Sequence, residues 1–277
     1  MNNYRFGTGS YPLRVALGGD APLNSAISAV LADQKAAGFS CWEPCIESVE
    51  TLARLFDLLG HFGLRMPSAY VNLRLHDEGA PSRVPQFLRL CETLAAGGVE
   101  ILVSNPEPIR WGGSENKDDA ALIRQSKLLE TLGEALRNRG LALAYHFHDS
   151  EFRCGAREVS HVLQHTSLEN VKICFDTHWA YRGCGDSQEA AFDLMDRCAP
   201  RIASFHLRQS VNGIWSRHFG PGDIDYLRWA RWIQERRWSG LIIMEQCWEA
   251  GTPEGESIDR AQAASLLYLR GLLEAKA

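Results

Sequence analysis

Short apolar runs alternate with amphipathic segments along this chain, and this alternation constrains the fold more than any other feature. Eight runs are predicted as strands, at residues 4–9, 38–43, 64–71, 99–104, 141–146, 171–176, 201–206 and 241–246. Between most of them apolar residues recur at i, i+3, i+4 and i+7, as in an amphipathic helix. Examples are residues 25–37, 49–62, 119–140 and 226–238. Strands that alternate with helices form a parallel sheet with right-handed crossovers.

Eight strand–helix units within 277 residues favour a (β/α)8 TIM barrel, here predicted as a single domain over residues 1–277. Glycines stand where several helices are expected to end, because glycine readily adopts the left-handed conformation that closes a helix. They are Gly38, Gly63, Gly98, Gly140 and Gly240. The alternative, an open doubly wound sheet, would normally carry a glycine-rich phosphate loop, and the sequence has none. A barrel predicts that the working residues lie at the C-terminal ends of its strands.

The charge and the apolar runs bear on location and partners. The formal net charge is −5, which weighs against a nucleic-acid partner because phosphate binding needs a dense basic surface. No apolar run approaches the ~20 residues of a membrane span, and the first residues lack a signal-peptide pattern. We therefore expect a cytoplasmic protein with neither a membrane nor a nucleic acid as its partner, and with scattered reduced cysteines.

Five of the predicted strands end in side chains that commonly bind metals. These are Glu43, His146, Asp176, His206 and Glu245. Histidine, aspartate and glutamate without cysteine form the ligand set of a divalent cation such as Mn, Co, Zn or Mg. Ion pairing with arginines is the structural alternative for any one residue, but several buried carboxylates side by side are costly without a cation. The strand ends therefore predict one bound divalent metal ion.

Five pieces of sequence follow one another between residues 141 and 249, namely YHFHDSEF, CFDTHWAYRGCGD, RIASFHLRQ, GPGDIDY and IIMEQ. In this order and spacing they resemble the sugar phosphate isomerase/epimerase family, which has the xylose isomerase-like TIM barrel. The first two pieces are most similar to a subgroup with inosose dehydratases and 3-keto-sugar enzymes. The resemblance extends over the whole chain in architecture, whereas its motifs lie in about the C-terminal two-thirds.

The resemblance implies one metal ion, bound at the ends of the fifth to eighth strands by Asp176, His206, Glu245 and a fourth ligand. Many family members have glutamate at the end of the fifth strand, where this chain has His146. The fourth ligand is thus either His146 or Glu151, and the HxHxxEF pattern favours Glu151. The lysine that usually follows the seventh strand is Arg208 in this chain.

The resemblance also implies proton removal from a carbon beside a metal-bound carbonyl of a sugar, keto-sugar or cyclitol. Candidate catalytic residues are Glu151, Glu245 and His148, and candidate substrate-binding residues are His178, Arg217, His218, Glu43 and Trp179. Return of the proton would make an isomerase or epimerase, whereas loss of a neighbouring group would make a lyase or dehydratase. The exact substrate, the metal and a homo-oligomeric state stay open.

Two further alternatives belong to other classes. A DNA-repair endonuclease of the related abasic-site family would need a trinuclear metal cluster and a basic surface. A barrel without its metal would merely bind a sugar.

Overall fold

The computed structural model describes residues 4–12, 27–46 and 49–274. Eight parallel strands occur where the apolar runs predict them. They are β1 (Arg5–Gly9), β2 (Cys41–Glu43), β3 (Ser68–Tyr70), β4 (Ile101–Ser104), β5 (Ala142–Tyr145), β6 (Val171–Asp176), β7 (Ile202–Leu207) and β10 (Leu241–Met244). Two short strands, β8 (Ser210–Val211) and β9 (Ile214–Trp215), form a separate antiparallel hairpin between β7 and β10.

Helices connect the strands. They are α1 (Ile27–Ala36), α2 (Leu52–Phe62), α3 (Ala80–Ala96), α4 (Asp119–Arg137), α5 (Asp149–His165), α6 (Thr177–Gly183), α7 (Gln188–Cys198), α8 (Tyr226–Glu235) and α9 (Ile258–Glu274). The first two residues of the helix predicted at 25–37 lie outside the described residues, which resume at Ile27. In that described part, no helix combines the length and the apolar character of a membrane span.

The strand order decides between a barrel and an open sheet. The eight strands follow the order β2-β1-β10-β7-β6-β5-β4-β3. The first strand, β1, pairs in parallel with β2 on one side and with the last strand, β10, on the other. A parallel bridge between Cys41 and Arg65 also joins β2 to the residues that lead into β3. Pairing of the first strand with the last is required by a (β/α)8 barrel and does not occur in a doubly wound sheet.

Four of the five predicted helix-ending glycines have the expected backbone conformation. Gly38, Gly63, Gly98 and Gly140 have φ values of 96°, 61°, 84° and 77°. The prediction for Gly240 was wrong, since Arg237 takes the left-handed position after α8, with φ of 51°. A non-glycine residue therefore ends this helix at a steric cost.

The chain divides into two compact units. The first comprises Met1–Cys45, Arg54–Met66 and Phe205–Ala277, and the second Ile46–Ala53 and Pro67–Ser204. In the first, the Phe205 ring packs edge-on against Trp229 and Trp238, with centroids 5.4 and 4.9 Å apart. In the second, Phe147 packs in the same way against Phe152 and Phe175, at 5.1 and 5.5 Å. The single-domain prediction stays a prediction.

Candidate metal centre

The neighbouring strands β5 and β6 bring His146 and Asp176 together in the second unit. Nε2 of His146 lies 3.5 Å from Oδ2 of Asp176, and the two side chains are 1% and 0% exposed. The other ring nitrogen of His146, Nδ1, lies 3.5 Å from the phenol oxygen of Tyr70. The imidazole is thus oriented with Nε2 towards the carboxylate.

The two carboxylate oxygens of Asp176 have different surroundings. Oδ1 caps α6, because it accepts hydrogen bonds from the backbone N–H groups of His178 at 2.9 Å and Trp179 at 2.8 Å. Oδ2 is buried and has no hydrogen-bond partner among the described residues. A buried carboxylate oxygen without a donor is costly, and a bound cation would remove that cost.

In the first unit, His206 at the end of β7 lies between two carboxylates. Nδ1 is 3.3 Å from Oε1 of Glu245 and Nε2 is 2.8 Å from Oε1 of Glu43. His206 is 0% exposed and Glu43 is 2% exposed. The sequence names Glu43 as a candidate substrate-binding residue, and that role stays a prediction; in the structure its carboxylate lies against this imidazole.

Arg208 holds the carboxyl group of Glu245 in place. Its NH2 donates to Oε2 of Glu245 at 3.0 Å, and its Nε donates to the backbone carbonyl of the same residue at 3.0 Å. The guanidinium lies over the ring of Trp215, 4.0 Å from its centroid, and 5.3 Å from that of Tyr11. Because Oε2 is bound to the arginine, Oε1 is the oxygen of Glu245 that faces His206.

The two candidates for the ligand from the fifth strand have different surroundings, since His146 lies beside Asp176 whereas Glu151 caps a helix. Oε2 of Glu151 accepts a hydrogen bond from the backbone N–H of His148 at 2.6 Å, which caps α5. Burial raises the pKa of Glu151 to about 7, and the nearby Glu158 carboxylate contributes to that rise. Glu151 therefore has a structural role that the sequence pattern did not indicate.

His148 and Trp179 belong to one aromatic cluster beside His146. The ring centroid of His148 lies 4.7 Å from that of His146, 5.4 Å from that of Trp179 and 5.3 Å from that of the exposed Trp111. His178 is fully buried, and its ring packs against Tyr181 at 6.0 Å. The structure thus brings the predicted catalytic His148 and the predicted substrate-binding Trp179 together.

A family model described as the xylose isomerase-like TIM barrel matches residues 31–269. The chain belongs to this family. Membership confirms the (β/α)8 barrel and the family resemblance that the sequence motifs indicated.

One curated relative and two solved structures show what this barrel is similar to. An inosose dehydratase from Bacillus velezensis is 25% identical over 207 residues, which cover 66% of this chain and 68% of the relative. The structure of L-ribulose 3-epimerase has a TM-score of 0.75 at 16% identity, over 98% of this chain and 95% of that one. The structure of the IolI protein with a zinc atom has a TM-score of 0.69 at 15% identity, over 97% and 98%.

Two predicted substrate-binding residues of this family member fasten a loop. Arg217 donates to the backbone carbonyls of Pro253 and Glu256, both at 3.2 Å, and its guanidinium stacks on Trp248 at 4.4 Å. The exposed His218 pairs with the carboxylate of Glu256 at 3.2 Å. The predicted contacts of Arg217 and His218 with substrate stay predictions.

Sequence reasoning did not predict two contacts of these side chains, that of Tyr70 with His146 and that of Arg208 with Glu245. Tyr70 lies 76 residues before His146 in sequence, and only the fold brings the two side chains together. Arg208 carried a signal, since arginine stands where the family usually has lysine. A planar guanidinium binds a carboxylate through a fixed fork of donors, which an ammonium group does not offer.

Proposed function

We propose that this protein is a divalent-metal-dependent enzyme that isomerises or epimerises a keto-sugar or a related cyclitol. It does so by removing a proton from the carbon next to the carbonyl. The observation that carries the proposal is a set of four buried ligand-type side chains at the ends of consecutive strands β5, β6, β7 and β10. They are His146, Asp176, His206 and Glu245, and each offers one ligand atom.

The donor atoms fit a divalent metal ion. Nε2 of His146, Oδ2 of Asp176, Nδ1 of His206 and Oε1 of Glu245 would hold it. Two nitrogens and two carboxylate oxygens without a thiolate suit Mn, Co or Zn, and less well Mg. When bound, the cation would polarise the substrate carbonyl and stabilise the negative charge that develops on its oxygen.

Glu245 is the candidate general base. Its side chain is 12% exposed, whereas those of Asp176 and Glu43 are 0% and 2% exposed. It is therefore the carboxylate with the greatest access to a substrate. With Oε1 assigned to the metal, Oε2 would take the proton, and the Arg208 guanidinium that donates to Oε2 fixes its position.

His148 is the candidate second proton carrier. It is half-buried and packs between Trp111 and Trp179, whose rings can also contact the C–H faces of a sugar. Glu151 has a pKa of about 7, which suits proton transfer at neutral pH. Its engagement in the α5 cap makes it the weaker candidate.

A dehydratase is the second candidate function, favoured by the 25% identity with inosose dehydratase. Both reactions begin with removal of the same proton. They differ in whether the proton returns or a hydroxyl group leaves from the next carbon.

Incubation of the metal-loaded protein in D2O with L-ribulose, D-allulose, inosose and a 3-keto-glucoside tests the proposal. We expect deuterium beside the carbonyl of one recovered substrate or its epimer, and loss of this exchange in Glu245→Gln. An unsaturated product with new ultraviolet absorbance identifies a dehydratase. The absence of exchange and of product with every compound would contradict both candidate functions.

A further inference from the structure

We propose that Glu43 is a positioning residue that sets the tautomer of His206, so that Nε2 carries the proton and Nδ1 presents its lone pair to the metal. This inference rests on the proposed function for the role of the metal, and it assigns Glu43 to His206 rather than to the substrate. The three side chains concerned, Glu43, His206 and Glu245, all lie in the first compact unit.

The argument begins with the shortest contact of His206, which is 2.8 Å from Nε2 to Oε1 of Glu43. A carboxylate oxygen can only accept, so a proton on Nε2 is what makes this ion-pair contact attractive. An imidazole that binds a metal through Nδ1 keeps a single N–H, and the carboxylate of Glu43 beside Nε2 holds that proton there. Nδ1 is the nitrogen that faces Oε1 of Glu245, at 3.3 Å.

The strands leave room for this pairing. Glu43 ends β2 and pairs in register with Gly9 of β1, and β1 lies next to β10, which precedes Glu245. A Cβ on Gly9 would lie 3.9 Å from Oε1 of Glu245 and 3.3 Å from the carbonyl oxygen of Glu43. Because Gly9 has no side chain, no group from β1 separates the two glutamates around the imidazole.

A metal-bound histidine needs such a partner on its second nitrogen. A carboxylate there fixes the ring orientation and raises the basicity of the ligating nitrogen, and loss of such a partner typically lowers metal affinity by about 10–100-fold. Burial of both side chains strengthens the effect, because the interaction is weakly screened by water.

The rival interpretation is direct binding of the substrate by Glu43. Its Oε2 has no hydrogen-bond partner among the described residues, and it could accept from a substrate hydroxyl. The two roles predict different results. A positioning role changes metal affinity and the His206 tautomer, whereas a substrate contact changes KM alone.

Glu43→Gln and the matched control Glu92→Gln, an exposed glutamate paired with Arg139, separate these roles. Calorimetric titration with Zn2+ should show about 10–100-fold weaker binding in Glu43→Gln and no change in Glu92→Gln. Glu43→Asp, which keeps the charge, should recover part of the affinity. Equal zinc affinity in all variants, or a change in KM alone, would overturn the proposal.

Nitrogen-15 NMR of the histidine rings gives a readout that does not depend on the metal. We expect a proton on Nε2 of His206 with and without Zn2+, and faster exchange of that proton with solvent in Glu43→Gln. A proton on Nδ1 alone, or unchanged exchange, would overturn the positioning role. If the wild-type protein keeps the Nε2 proton but binds no Zn2+, the pairing of Glu43 with His206 stands. The proposed metal-dependent function would then be contradicted.

Discussion

Asp176 shows how a single side chain can serve both the fold and the chemistry. Its Oδ1 caps α6, while Oδ2 faces Nε2 of His146 at 3.5 Å. The helix cap needs only an oxygen acceptor, whereas a metal ligand needs the negative charge. The two roles can therefore be separated by substitution.

Asp176→Asn should keep the cap and lose the metal. Asparagine is as good an N-cap as aspartate, so the melting temperature of the metal-free protein should change little. Its neutral amide is a poor ligand for a divalent ion, so we expect metal affinity to fall by more than the about 10–100-fold that loss of an outer partner typically costs. The control is Asp118→Asn, which changes the side chain that caps α4. Unchanged metal affinity in Asp176→Asn would remove this residue from the ligand set.

Glu151 predicts a pH dependence of stability. Its pKa is raised from an ordinary 4.5 to about 7 in the folded protein. The folded state thus holds a proton that the unfolded state releases near pH 4.5, and stability falls as pH rises from about 4.5 to 7. In Glu151→Gln this decrease in the free energy of unfolding with pH should be absent. The variant should be more stable than the wild type at pH 8 by about 1–3 kcal/mol. Urea unfolding of both proteins at pH 5 and pH 8 measures this difference. An equal change in the free energy of unfolding between the two pH values in wild type and variant would contradict the assigned pKa.

At the scale of elements, α5 contains a break that its helical periodicity hides. Cys154, Gly155 and Ala156 have φ values of 54°, 72° and 58°, so the backbone leaves the helix and then re-enters it. Left-handed conformations cost non-glycine residues roughly 1 kcal/mol or more. Replacement of a non-glycine residue here by glycine should remove this steric cost.

Ala156→Gly and Ala135→Gly should therefore change stability in opposite directions. Glycine at position 156 relieves the left-handed strain, and we expect a gain of about 0.5–1 kcal/mol. Ala135 lies inside α4, where glycine should cost about 1 kcal/mol. Chemical denaturation of both variants provides the measurement. Destabilisation of Ala156→Gly by as much as Ala135→Gly would show that residues 154–156 are helical in solution.

The eight strands could be predicted from the sequence because each apolar run is a local signal. The interruption between β6 and β7, where α6 and α7 replace one helix, has no comparable signal in the apolar pattern. The position of the ligand-type side chains at the strand ends could also be predicted, because the order of the strands in a barrel determines which strand ends are neighbours. The partners of Glu43 and Arg208 were not, because they lie 163 and 37 residues away in sequence and only the fold brings them together.

At the scale of the whole molecule, the proposed cation links the fold to the activity. A ligand that binds only the folded state stabilises it by about 2.7 kcal/mol at 100 times its dissociation constant. For a chain of this size that corresponds to a melting temperature about 5–10 °C higher. Thermal unfolding with and without a chelator should show this difference in the wild type and lose it in Asp176→Asn.

The most direct test of the central claim is an anomalous-scattering map from crystals grown with manganese or zinc. The account predicts a single strong peak within bonding distance of Nε2 of His146, a carboxylate oxygen of Asp176, Nδ1 of His206 and a carboxylate oxygen of Glu245. A map without a peak among these four side chains, in crystals soaked at a high metal concentration, would contradict it.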